Sequence, residues 1–129
     1  MVVVKAPAIL TVLADGPNLI TYAGALCGMA GLISVVYGAL DLGLAMILWA
    51  HVADSLDGWL ARKQSLRAPD TKKAGAHLDS FADFLAGGAF PLVFLAIYGQ
   101  GEPISLIGGV LLCSAGLLRL SYFNVHGLD

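Results

Sequence analysis

Pro17–Leu40, PNLITYAGALCGMAGLISVVYGAL, runs for 24 residues without a charged side chain. Wound as an α-helix it extends roughly 36 Å, enough to cross the hydrocarbon of a bilayer. Asp41 closes the run. Leu42–Ala53 follows as an apolar stretch of 12 residues, too short to span alone; it becomes a span only if the helix continues through Asp54 and Asp57 to Arg62. Phe84–Gly101 is uncharged for 18 residues, in a helix expected to begin near Ala74. Glu102-Pro103 makes a turn, and Ile104–Leu118 is a fourth apolar run, ended by Arg119. The expected fold is all-α: a polytopic integral membrane helix bundle, with four transmembrane helices near 18–40, 42–63, 74–100 and 104–124.

Composition points the same way. Hydrophobic residues make up 58% of the 129-residue chain, charged residues 12%, and mean hydropathy is +0.83. A soluble domain carries about 25% charged residues, so the polar surface here is too small to solvate a globule. An ordinary cytosolic enzyme, a disordered chain and a nucleic-acid binder are excluded; a net charge of −2 supplies no field for polyanions. Ahead of the first span, Lys5 precedes only nine apolar residues, Ala6–Ala14, interrupted by Pro7. A cleaved signal needs more positive charge and a longer apolar core, so a short N-terminal interfacial helix is expected. Cys27 and Cys113 are too far apart in sequence to suggest a zinc motif and are read as small packing residues. Gly24-x-x-x-Gly28 is read as a helix-packing groove.

Five of the seven Lys and Arg residues fall between positions 62 and 73: Arg62, Lys63, Arg67, Lys72 and Lys73. With four spans, this loop shares one side with both termini, and the opposite turns carry only Asp41 and Glu102. The positive-inside rule puts the loop and the termini in the cytoplasm, here beneath a cell inner membrane. The loop is read as a topology determinant that also meets anionic head groups.

Asp54, Asp57, Asp79 and Asp83 sit where a membrane helix should avoid charge, and an ionisable residue inside a span marks a functional site by default. Asp54 and Asp57 are three apart on one helix face, with Gly58 and Ala61 on that face. Asp79 and Asp83 are four apart on the next helix, one turn and two turns beyond Gly75. All four lie within about 6–12 Å of the loop ends. Read as antiparallel neighbours, the two helices bring the pairs together at matched depth. Four like charges so placed call for a compensating cation, and oxygen-only ligation suits Mg²⁺ or Mn²⁺. Metal-dependent phosphoryl chemistry is one reading. An ion-coupled transport path and structural pairing with Arg62 or Lys63 remain open beside it.

Written out, Asp54-Ser-Leu-Asp57-Gly58-Trp-Leu-Ala61-Arg62 and Gly75-Ala-His-Leu-Asp79-Ser-Phe-Ala-Asp83 resemble the signature of the CDP-alcohol phosphotransferase family, D-x-x-D-G-x-x-A-R…G-x-x-x-D-x-x-x-D. Twelve residues, 63–74, separate Arg62 from Gly75; the family usually has about eight, a difference that a surface loop tolerates. Pro17-Asn18-Leu-Ile-Thr21, Leu78–Asp83 with Gly88-Ala-Phe-Pro91, and Leu118–Val125 resemble segments of its phosphatidylserine synthases. The likeness covers about residues 17–126. It implies transfer of a phosphatidyl group from CDP-diacylglycerol to a small alcohol acceptor, by resemblance serine, with release of CMP. Another acceptor, such as glycerol phosphate or an inositol phosphate, is a variant of the same chemistry; a non-catalytic membrane protein or a small transporter is the alternative.

The resemblance further implies that Asp54, Asp57, Asp79 and Asp83 hold two metals, Mg²⁺ or Mn²⁺, and that Asp83 is the general base. Asn18 and Thr21 would lie near the nucleotide; Gly58, Ala61 and Gly75 would border the CDP, with Arg62 close to it. Arg119 is a candidate for the acceptor's carboxylate or a phosphate, or a helix-end anchor at the interface; Asn124 is a weaker candidate. His51, one turn before Asp54, is read as a packing residue, and Trp59 as part of an interfacial belt. Family members generally have six transmembrane helices and form homodimers, so residues 1–129 are expected to be a single transmembrane domain, C-terminally incomplete.

Overall fold

The computed structural model describes residues 8–64 and 66–127. Lys5 and the start of the expected interfacial helix lie outside them. A five-residue helix, α1 (Ile9–Leu13), is followed by α2 (Gly16–Val36) and α3 (Leu40–Lys63). A third rod runs from Pro69 to Tyr98 as α4 (Pro69–Phe84), a π-helical turn (Leu85–Ala89) and α5 (Phe90–Tyr98). The last helix, α6, covers Pro103–His126. Among the described residues there is no strand.

Proline stands in the first turn of three of these helices. Pro69 and Pro103 are the first residues of α4 and α6, and Pro17 the second of α2, positions where a missing N–H costs nothing and a fixed φ is already helical. Pro69 sets the start of the third rod earlier than the expected Ala74. Pro91 acts differently. It stands inside the rod and has no N–H for the Gly87 carbonyl four residues back, and the helix widens into the π turn there. Gln100 and Gly101, both at positive φ, reverse the chain between α5 and α6.

α2 is the central element. It packs along α3 and also receives α4, the π turn and α5. A Cβ on Gly24 would stand 2.9 Å from the Ala53 Cβ and 3.4 Å from the Ala50 carbonyl oxygen, so α2 and α3 touch nearly backbone to backbone. Gly28 faces Leu85 of the π turn instead. The apolar core is small: Val35, Ile47, Ala50 and Phe90 are buried, with Cys27 packed against them. Both cysteines are free and half-buried.

Four long helices therefore occupy the four expected segments, and three of them are long and apolar enough to cross a membrane: α2, the Pro69–Tyr98 rod and α6. α3 has the length, but Asp41, Asp54, Asp57, Arg62 and Lys63 lower its hydropathy. One expectation needs correcting. α3 and α4 are not closely packed neighbours: each is held by α2, and their backbones scarcely approach one another. The carboxylates project into the gap this leaves.

Candidate functional site

Asp57 is 5% exposed, so its carboxylate needs a partner inside the protein. The Thr21 hydroxyl of α2 supplies one, donating to Asp57 Oδ2. Thr21 is itself buried, and the same hydroxyl lies 3.0 Å from the Pro17 carbonyl one turn back. The geometry follows from the close contact at Gly24: with no side chain between α2 and α3, Thr21 reaches the carboxylate directly.

Asp54, Asp57 and Asp79 each offer an oxygen within 4.8 Å of the others. Asp54 is exposed, Asp57 buried and Asp79 half-buried. Such an all-oxygen donor set fits a hard divalent cation such as Mg²⁺ or Mn²⁺. Asp83 is not in this trio. It lies one turn beyond Asp79 and lines a small cavity with Asp54, Asp57, Thr21 and His51. All four carboxylates thus converge on the gap between α3 and α4, three in ligating proximity and the fourth beside them. Among the described residues, no ion pair joins Arg62 or Lys63 to any of them. The Lys63 Nζ sits 3.7 Å from the centroid of the Trp59 ring instead.

A cleft opens on each flank of the carboxylates. The first, about 190 Å³, is lined by Asn18, Thr21, Gly58, Ala61 and Gly75, together with Asp57 and Asp79. Five residues expected to border a nucleotide thus share one wall. Arg62, the sixth, is exposed and does not line this cleft; its Nη1 lies 3.7 Å from where a Cβ on Gly58 would stand. Arg67 and Lys72 line it instead.

Arg67 escaped the sequence reading. It belongs to the basic stretch read as a topology determinant that meets anionic head groups, yet its side chain is 11% exposed and pairs with Asp15, itself 13% exposed. The available signal was Asp15 itself, an acidic residue at the mouth of an apolar helix that needs a counter-charge.

The second cleft, about 310 Å³, is lined by His51, Asp54, Asp83, Gly87, Gly116 and Arg119. His51, read as a packing residue, faces this space. A neighbouring recess joins Asp79, Asp83 and Arg119 to Ser80 and Asn124. There the Ser80 hydroxyl is 2.8 Å from Asn124 Oδ1. Arg119 is exposed, with its guanidinium carbon 5.6 Å from the Phe123 ring centroid.

Residues 15–127 match the family model described as CDP-alcohol phosphatidyltransferase. The chain is 33% identical over 112 residues to the archaetidylserine synthase of Methanothermobacter thermautotrophicus, covering 84% of this chain and 46% of that protein. It is 31% identical over 118 residues to the CDP-diacylglycerol–serine O-phosphatidyltransferase of Bacillus subtilis, covering 85% and 61%. It is also 31% identical over 113 residues to the phosphatidylinositol phosphate synthase of Mycolicibacterium smegmatis, covering 85% and 49%. The chain spans about half the length of these relatives. No solved structure is significantly similar to it. The match runs from the first turn of α2 to the end of α6 and takes in the whole carboxylate gap: the chain belongs to the CDP-alcohol phosphatidyltransferase family.

Proposed function

We propose that this chain transfers a phosphatidyl group from CDP-diacylglycerol to a small alcohol, L-serine first among the candidates, and releases CMP. One observation carries the reading: three carboxylates within 4.8 Å of one another, with the motif's small residues on one flank and Arg119 on the other. A divalent pair held by Asp54, Asp57, Asp79 and Asp83 would neutralise the pyrophosphate and the charge gathering on the departing CMP.

The chain's own residues do the rest. Gly58, Ala61 and Gly75 leave room for the CDP along the first cleft; Asn18 and Thr21 shape its wall, and Arg62 stands at its edge. Thr21 also holds the Asp57 carboxylate in orientation. The acceptor enters from the second cleft, where Arg119 can take a carboxylate or a phosphate. Asp83 lines both the cavity among the carboxylates and this cleft, and so can accept the hydroxyl proton as the alcohol oxygen attacks the β-phosphorus. One P–O bond forms to the acceptor, and the bond to CMP breaks.

Serine is favoured because relatives matched over most of this chain are named for serine transfer. Others are named for phosphatidylcholine and phosphatidylinositol phosphate synthesis, so a different acceptor is the second reading. The proposed setting is a single transmembrane domain with α3 as the fourth span, and with the basic loop and both termini on the cytoplasmic face of the cell membrane. A homodimer is the proposed assembly, and the open space beside Gly108 leaves room for a second copy's helix. The test is CMP release by the purified chain in bilayers containing CDP-diacylglycerol, with Mg²⁺ or Mn²⁺ and a panel of alcohols. Serine-dependent CMP that a chelator abolishes is expected. No CMP with any alcohol, where a working synthase gives a signal, would overturn the proposal.

A further inference from the structure

A guanidinium largely withdrawn from water at a loop is a costly thing to keep unless it is bidentately paired and does some positioning work. Arg67 meets the first condition. Its Nε donates to Asp15 Oδ1 at 3.0 Å, its Nη2 to Asp15 Oδ2, and the same Nη2 to Asn18 Oδ1 at 2.8 Å. Asp15 stands at the N-cap of α2, where a carboxylate ordinarily caps the helix's own N–H groups. Here it makes no capping bond, and its carboxylate is turned to Arg67.

Asn18 is the node through which this pairing reaches the site. It is 1% exposed. Its amide nitrogen donates to the Val12 carbonyl at 2.9 Å and to the Thr71 carbonyl at 3.3 Å, and its oxygen accepts from Arg67. One side chain thus joins the end of α1, the first turn of α4 and the loop between α3 and α4. Its amide also fills the space a Cβ on Gly75 would need. One turn after Asn18, Thr21 holds Asp57.

We propose that Arg67 is a positioning residue, a latch that ties the short segment between α3 and α4 to the head of α2 through Asp15 and, through Asn18, sets the wall of the first cleft. The kinetic part rests on the function proposed above; the latch itself does not. Arg67 also borders that cleft, but its Nε and Nη2 are committed to Asp15 and Asn18, so its action on the donor site is assigned to them.

Two measurements test this. In the first, the full chain in bilayers is digested with a protease that cuts only after lysine. Asp15→Asn and Arg67→Ala are expected to speed cleavage at Lys63, Lys72 and Lys73 by about tenfold or more, since these sites end α3 and begin α4 and proteolysis tracks the population in which that junction is open. Unchanged cleavage in both variants would overturn the latch, whether or not the chain turns over. In the second, Arg67→Ala is expected to raise KM for the CDP-lipid about tenfold with kcat within about twofold, and Arg67→Lys to fall between. Asp15→Ala is expected to do the same, and the double variant to be no worse than either single one. Effects that multiply would show Arg67 acting on the donor independently of Asp15 and would overturn the positioning role. Absence of turnover in the unmodified chain would count against the proposed function, leaving the protease result to decide the latch.

Discussion

The two clefts flanking the carboxylates are built in different ways. The first is made by α2, α3 and α4 around backbone-close contacts. Its polar side chains are already paired: Thr21 with Asp57, and Asn18 with two carbonyls and Arg67. The second depends on α6, which packs on α5 and the π turn and only lightly on α4. Its Arg119 is exposed, as is Asn124 in the adjoining recess, and a Cβ on Gly87 would meet open space. A prearranged flank suits the proposed CDP-lipid donor, and an open flank suits the proposed acceptor, the component that differs among the names of the relatives. On this contrast, substitutions on the first flank should disturb structure and donor binding together, and those on the second should disturb the acceptor alone.

The largest effect is expected at the junction of the flanks. Asp83→Asn keeps the shape and removes the proposed base, so turnover should fall by at least about a hundredfold, and Mn²⁺ binding by the trio is expected to persist. Manganese binding measured by electron paramagnetic resonance, alongside CMP release, checks both halves. Turnover near the unmodified level would remove Asp83 from the role of base.

Next comes Gly75→Ala. The added methyl collides with the Asn18 amide, which is fixed by three hydrogen bonds and cannot yield. A loss of about 1–3 kcal/mol in stability is expected from overpacking, together with a raised KM for the CDP-lipid. Thermal unfolding in detergent and donor kinetics measure the two; unaltered values would mean the first flank is softer than its packing implies.

Arg119→Ala should raise KM for the acceptor about tenfold, a loss of about 1.4 kcal/mol, and leave the donor KM in place. A change confined to the donor would reverse the assignment of the flanks. The smallest effect belongs to Gly87→Ala, which adds one methyl to open space. Stability should hold to within about 1 kcal/mol, and acceptor KM should shift by less than about threefold. A larger shift, growing with acceptor size across the alcohol panel, would mean that the second flank is tighter in bilayers than it stands here.

Much of this site was legible before any coordinates. Charged residues in otherwise apolar helices are conspicuous, and spacings of three and four put Asp54 beside Asp57 and Asp79 beside Asp83. Helix periodicity fixes those relations locally. The small residues Gly58, Ala61 and Gly75 were legible for the same reason. Arg67 was not, because a loop has no period and a run of basic residues reads as a topology determinant at the head groups. The π turn was hidden too, although Pro91 behind two glycines marked a place where the helix could not stay regular. His51 was read as packing because an i, i+3 relation to Asp54 does not say which neighbour the shared face meets.

What the sequence determined alone was the class of protein, the rough limits of its four long helices and the two acidic pairs, all consequences of hydropathy and of the regular rise of a helix. Which helix holds which was decided only in three dimensions. α2, the least charged of the long helices, stands between the two that bear the carboxylates, because Gly24 lets it approach α3 while Asn18 and Gly75 lock it to α4. That arrangement keeps α3 and α4 apart and so creates the gap in which the acidic groups meet. Distances of this kind depend on side chains far apart in the chain, and no local spacing encodes them.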